Sequence, residues 1–257
     1  MQMTGQLELS GKVAIVTGAG RLRGIGRESA LVLARMGADV VVTGTGRDPA
    51  TFPADEKKAG WRDIESVAEE VRKTGRRALP VVIDVSDEGQ VDALVARTVR
   101  EFGRVDILVN NAAAPYGKDR VPVLEVDPAV FWRVIQVKVM GTFLCSRAAA
   151  RHMVKQGQGG RIVNLSSTAG KRGSARNAAY NASNFAVDGF SQALAKELAL
   201  DKITVNCVCP GLIETARMDP LGRGDSWQKR VEGIPAGRVG EDWEVAELIG
   251  YLCSPRA

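Results

Sequence analysis

The sequence predicts a doubly wound α/β fold over residues 1–257, a single unit with a parallel sheet covered by helices on both faces. Three observations lead there. Short apolar runs alternate with helix-period segments along the chain, with no internal repeat and no low-complexity tract. The first apolar run passes into a glycine-rich turn and then a helix. The glycine loop, Asp84, Asn110, Ser167 and Pro210 all fall at the carboxyl ends of apolar runs, where right-handed crossovers place a ligand.

Taken in order, KVAIVT (12–17) fits a buried parallel strand, and GAGRLRGIG (18–26) follows it. A helix with Ala30, Leu31, Leu33 and Ala34 inward closes at Gly37. Glycines let backbone approach a pyrophosphate, and a helix N-terminus offers free N–H groups. The loop residues Gly18, Arg21, Arg23, Gly24, Ile25 and Gly26 are therefore candidate cofactor contacts. ADVVVT (38–43) is a second strand, followed by Gly44, Thr45 and Arg47 where an acid would favour NAD. A missing acid beside two arginines, Arg23 and Arg47, predicts NADP, with NAD as the second possibility, because a guanidinium meets a 2′-phosphate as a planar fork. Residues 48–60 read as a polar surface excursion.

Ile64, Val67, Ala68 and Val71 mark the next helix, which ends at Gly75. Residues 79–85 form a third strand containing Asp84, and 87–102 a helix with Ser86 as N-cap. A strand over 105–109 ends in NNAA, a long helix covers 127–153, and 203–208 is a strand ending in CPG. Between them lies the stretch around which the chemistry is organised. GRIVNLSS (160–167) is a strand ending in two serines, and a long helix from Asn177 to Leu200 carries Tyr180, thirteen residues after Ser167. A hydroxyl beside a phenol suits proton transfer to a carbonyl or alcohol oxygen.

Composition bounds the function. With 45% apolar residues and a net charge of +5 spread along the chain, a nucleic-acid or membrane surface is disfavoured. No uninterrupted apolar run reaches membrane-spanning length, and the leader MQMTGQLELS lacks the apolar core of a secretory signal. The four cysteines (145, 207, 209 and 253) form no C-x-x-C pair and read as packed, reduced thiols of a cytoplasmic protein. His152 is the sole histidine, which argues against a Ser-His-Asp triad and a histidine-rich metal site.

With these residues assembled, the chain resembles the short-chain dehydrogenase/reductase family over nearly its whole length, and within it the 3-oxoacyl reductases. The motifs are TGAGRLRGIG, the Asp84–Val85 pair, NNAA from Asn110, the Ser167–Tyr180 spacing, and PGLIET over 210–215. The resemblance implies a Rossmann fold that binds NAD or NADP and moves a hydride between the nicotinamide and a small-molecule carbonyl or alcohol. Asp84 and Val85 would hold the adenine, and Asn111 and Ala112 would line the adenosine ribose. Pro210, Gly211, Ile213 and Thr215 would line the nicotinamide. Tyr180 would be the acid or base, also touching the cofactor, with Ser167 orienting the substrate oxygen. A homodimer or homotetramer is the usual assembly, and residues 212–240 would form the substrate loop, where Arg217, Arg223, Lys229 and Arg230 read first as a solvated lid and second as partners of an acidic substrate.

Four departures from the family pattern stand out. Five residues separate Gly18 from Gly24 where the pattern has three, so either the loop is longer or Gly20 replaces the first glycine. Tyr-x-x-x-Lys reads Tyr180-Asn-Ala-Ser-Asn184, and V-N-x-x-G-x-F reads Val137-Lys138-Val139-Met140-Gly141-Thr142-Phe143. Lastly, the sequence stops where the family adds one more strand. The middle two read as one reciprocal exchange, in which Lys138 supplies the cation missing from position 184 and Asn184 supplies a short polar link. The competing readings are a catalytically silent NAD(P)-binding sensor or scaffold and, more remotely, a lyase or epimerase using the same tyrosine.

Overall fold

A computed structural model describes residues 7–257; the first six residues of the leader lie outside the described residues. Six parallel strands form the central sheet in the order β3-β2-β1-β4-β5-β6. They are β1 (Val13–Val16), β2 (Asp39–Gly44), β3 (Ala78–Val82), β4 (Ile107–Asn110), β5 (Gly160–Leu165) and β6 (Ile203–Val208). Chain order reverses between β1 and β4, which opens a crevice at the carboxyl edge of these two strands. The helices are α1 (Ile25–Arg35), the short α2 (Ala54–Lys58), α3 (Ile64–Lys73), α4 (Glu88–Phe102), α5 (Pro128–Ile135), α6 (Gly141–Gln156), α7 (Ala178–Glu197), α8 (Asp225–Glu232) and α9 (Asp242–Cys253). A small pair, β7 (Ile213–Glu214) and β8 (Gly240–Glu241), ties the segment after β6 to the start of α9.

Two apolar clusters sandwich the sheet, one beneath α1, α3 and α9 and the other beneath α4, α6 and α7. Strands buried on both faces read as unbroken apolar runs, which is why VAIV and DVVVT were visible in sequence. The strand ends are tied by buried amides. Asn110 donates to Ser146 (2.9 Å) and to Asn164 (2.8 Å), and Asn164 donates to Ser191 (2.9 Å), joining α6, β4, β5 and α7.

Several expectations need correction. Asp87, not Ser86, caps α4, since its carboxylate accepts from the Gln90 amide at 3.0 Å. Ser86 is engaged elsewhere, donating through Oγ to Asp84 at 2.7 Å. Strand β3 ends at Val82, so Asp84 lies in the loop beyond it, where Arg133 donates to its carboxylate at 2.8 Å. The segment Pro128–Gln156 is, by length and composition, apolar enough to cross a membrane. Arg133 and Lys138 interrupt it, so no unbroken run showed in sequence. Its inner face packs against β4, β5, α4 and α7.

Residues 48–60 are mostly exposed, as a surface excursion should be, but Phe52 and Glu56 turn inward. They fold over the glycine loop, and Glu56 within them is wholly buried. Its carboxylate accepts from the Leu22 amide at 3.1 Å, and Trp61 donates to the Gly20 carbonyl at 2.7 Å.

Candidate active site

Gly18 and Gly26 hold the backbone of the first loop. Gly18 adopts a left-handed conformation (φ 68°), and a Cβ there would lie 2.7 Å from Cα of Ala112. A Cβ on Gly26 would meet the Asn111 amide nitrogen at 2.5 Å and the Gly18 carbonyl at 2.8 Å. Gly18 therefore keeps the first glycine's place, and the loop is longer. Gly20 is needed for another reason: a Cβ there would collide with the Asp63 carboxylate. Gly24 caps α1 without a side-chain cap, so the first turn of α1 presents free N–H groups. Asn111 donates to the Thr17 and Gly18 carbonyls, each at 2.9 Å, and Thr17 Oγ1 accepts from the Asn111 and Ala112 amides. This cradle and uncapped helix end fit the pyrophosphate of a dinucleotide.

The adenosine end differs from the sequence reading. Arg47 and Arg23 were expected to be free for a 2′-phosphate, and both are already paired. Arg47 donates to Glu56 at 2.8 Å and to Asp63 at 2.9 and 3.0 Å. Burial opposes its charge, but the hydrogen bond to Glu56 and the charge of Asp63 win, and its pKa is raised. Arg23 bridges Asp55 and Asp219, each at 2.7 Å. The acid missing from the end of β2 is supplied by Asp63, sixteen residues after Arg47, held at a positive φ of 53°. Thr45 is exposed at the strand end and Arg21 makes no ion pair among the described residues.

One cavity gathers the chemical residues: Ser167 at the end of β5, Tyr180 and Asn184 one turn apart on α7, and Lys138 from the neighbouring helix. Ile25 and Asn111 line it from the glycine loop side, and Pro210, Gly211, Ile213 and Thr215 from the loop after β6. The Thr168 amide donates to the Pro210 carbonyl at 3.0 Å, which locks that loop to the serine strand. Lys138 sits in a π-helical turn (Gln136–Met140) between α5 and α6 and is 5% exposed. A π-bulge widens the helix and re-aims a side chain, and such bulges concentrate at functional sites. Burial first, and the charge of Arg217 second, push the Lys138 ammonium down to about 8; the nearby Cys207 and Cys209 act in the opposite sense. Asn184 is fully buried, donates to the Tyr180 carbonyl at 2.8 Å, and leaves its Oδ1 without a partner. Asp84 and Val85 do not line this cavity: the Asp84 carboxylate is held by Ser86 and Arg133, and Val85 is packed against Gly141.

A profile of the short chain dehydrogenase family matches residues 12–225. The chain belongs to this family. Its relatives include a 3-oxoacyl-[acyl-carrier-protein] reductase of Synechocystis, 36% identical over 250 residues that cover 97% of this chain and 92% of that one. The chloroplastic NADPH-dependent aldehyde reductase 2 of Arabidopsis thaliana is also 36% identical over 250 residues, covering 96% and 88%. Among solved structures, an NAD+-bound xylitol dehydrogenase superposes with a TM-score of 0.82 at 30% identity, covering 96% of this chain and 94% of that chain. The short-chain dehydrogenases are NAD(P)-dependent oxidoreductases, and this member keeps the family's serine and tyrosine while lacking lysine at position 184.

One side chain of the site went unassigned in sequence: Arg120 stacks on Tyr180, with its guanidinium carbon 4.0 Å from the ring centroid, and no motif marks it. Arg217, read in sequence as one charge of a solvated lid, is instead partly buried and lines the cavity.

Proposed function

We propose that this chain is a dehydrogenase or reductase for a small alcohol or carbonyl compound, with Tyr180 as proton donor and acceptor and Ser167 orienting the substrate oxygen. Lys138 and Asn184 divide between them the work of the family lysine. The observation that carries this reading is the single cavity shared by Ser167, Tyr180, Asn184 and a buried Lys138. A free phenol ionises at about 10, and a nearby cation typically lowers an acid's pKa by about 1–3 units. Lys138, with its pKa at about 8, still carries its proton near neutrality and brings that cation into the cavity. Asn184 adds an unpartnered acceptor, ready for a hydroxyl or an ammonium donor. Gly18, Gly24, Ile25, Gly26 and Asn111 would hold the dinucleotide, with Pro210, Gly211, Ile213 and Thr215 around its nicotinamide. When bound, the nicotinamide supplies or takes up the hydride.

Absorbance at the reduced nicotinamide band, followed with a panel of ketones and aldehydes, tests the activity. Turnover is expected; tight cofactor binding with no oxidation by any carbonyl compound would favour the silent sensor instead. Carbonyl reduction is also expected to fall as pH rises through about 8, because Lys138 then loses its charge. A kcat/KM profile flat from pH 7 to 9.5 would contradict that role.

The paired arginines shift the cofactor reading from NADP toward NAD. A 2′-phosphate arriving at the end of β2 finds the Arg47 guanidinium already neutralised by Glu56 and Asp63. NADH is therefore expected to bind at least about tenfold tighter than NADPH, a difference of about 1.4 kcal/mol. The double change Glu56→Gln with Asp63→Asn, which unpairs Arg47, narrows that gap. Tighter binding of NADPH to the unaltered chain, measured by its fluorescence, is the contrary result.

A further inference from the structure

The cavity around Tyr180 contains two side-chain cations, Lys138 and Arg217, and no aspartate or glutamate lines it. Lys138 has a task in the reaction proposed above. Arg217 has none. It projects from the segment after β7, and its one hydrogen bond runs from Nη1 to the Ala114 carbonyl. Neighbouring arginines are neutralised: Arg120 by Asp119, Arg223 by Glu214, and Arg23 by Asp55 and Asp219. Arg217 forms no ion pair among the described residues. Burial depresses its pKa and outweighs Tyr180, which acts in the opposite sense, while Arg120 adds to the fall, so the charge is held at a cost. A guanidinium kept in a partly desolvated cavity with no counter-charge calls for an anion, and its planar fork matches a carboxylate.

Position identifies the source of the anion. The Arg217 guanidinium carbon lies 5.6 Å from the Tyr180 ring centroid, on the group that handles the reacting oxygen. Ala114, its hydrogen-bond partner, begins the loop that carries Tyr116 and Arg120, and Arg120 stacks on both Tyr116 (4.8 Å) and Tyr180 (4.0 Å). The acid of that loop, Asp119, is paired with Arg120, and Ala113 at the loop's start lines the cavity a substrate would fill. We propose that Arg217 binds a carboxylate on the substrate, so that the preferred substrates are short oxo acids and the corresponding hydroxy acids. This rests on the oxidoreductase reading; it adds the substrate class.

The test compares each acid with its neutral ester, acetoacetate against methyl acetoacetate and pyruvate against methyl pyruvate, using the full chain. The unaltered protein is expected to favour an acid over its ester by about tenfold or more in kcat/KM. Arg217→Gln should cut that ratio by about 10–100-fold, mainly through KM, and Arg217→Lys should restore part of it. NADH affinity, read by fluorescence titration, should change by less than about threefold in Arg217→Gln. Equal use of acid and ester by the unaltered protein overturns the proposal. So does a tenfold loss of NADH affinity with the acid-to-ester ratio intact, which would assign Arg217 to the cofactor's pyrophosphate. If no probe is turned over, the oxidoreductase reading fails. Binding of acetoacetate to the NADH complex, followed by nicotinamide fluorescence, then still decides the role of Arg217: saturable binding lost in Arg217→Gln supports it, and no binding overturns it.

Discussion

Lys138→Asn lowers kcat by about 100-fold or more while leaving NADH binding nearly intact, because it removes the cation in the tyrosine cavity and touches neither the glycine cradle nor the end of β2. The magnitude is that of general acid–base catalysis, about 10²–10⁴-fold. The same residue costs the fold stability. Its pKa falls from 10.5 to about 8 on burial, so the unfolded chain binds the proton more tightly than the native one does. Stability is therefore lowest below about pH 8 and rises as pH climbs from there toward 10.5. The penalty amounts to roughly 3 kcal/mol at neutral pH. Lys138→Met, which keeps the apolar stem and drops the charge, is expected to raise the melting temperature at pH 7 and to lose turnover. A variant both less stable and fully active would reverse the account of this residue.

Glu56→Ala is the second large effect, and here stability and cofactor binding fall together. Glu56 has no exposed surface, pairs with Arg47, and accepts from the Leu22 amide in the lengthened glycine loop. Arg47 also stacks on Phe52 at 4.5 Å and keeps Asp63, so losing Glu56 takes one of two carboxylates from a half-buried guanidinium and leaves a backbone donor unsatisfied at once. Breaking a buried pair costs about 3–5 kcal/mol. At about 2–4 °C per kcal/mol for a chain of this size, the melting temperature drops by at least about 6 °C. NADH affinity weakens by about tenfold or more, because the loop loses its anchor. Asp55→Ala, one residue earlier, is the control. Both partners of the Arg23–Asp55 pair are more than a third exposed, so its loss costs under about 1 kcal/mol. Similar melting curves for the two variants would mean that residues 48–63 merely rest on the loop.

Much of this was legible in sequence, and the reasons are local. Strands buried on both faces announce themselves as apolar runs, and β6 was placed to the residue over 203–208. The expectation that Ser167, Tyr180, Lys138 and Asn184 work together came from two short motifs read as one exchange, and the fold brings all four to one cavity. What escaped depends on contacts distant in sequence. Asp63 reaches Arg47 only because residues 48–60 double back over the glycine loop, and Arg217 reaches the Ala114 carbonyl across 103 residues. Arg47 is followed by Asp48 in the chain, yet the acids that pair Arg23 and Arg47 are Asp55, Glu56, Asp63 and Asp219, all more distant. On α7, Ala179 and Ser183 pack inside the fold, while Ala182 and Phe185 face outward. Any pairing of α7 with a second copy would therefore use the latter face.

The central claim is that a cation donated by α6's π-helical entrance replaces the one usually carried on α7. Its most direct measurement is kcat for four proteins: unaltered, Lys138→Asn, Asn184→Lys, and both changes together. Non-additivity is the signature of two residues in one network. Each single change should cripple turnover, the first by removing the charge and the second by crowding two ammonium groups into one cavity, and the double change should recover most of the rate. A double variant no better than the product of the two singles would contradict the exchange.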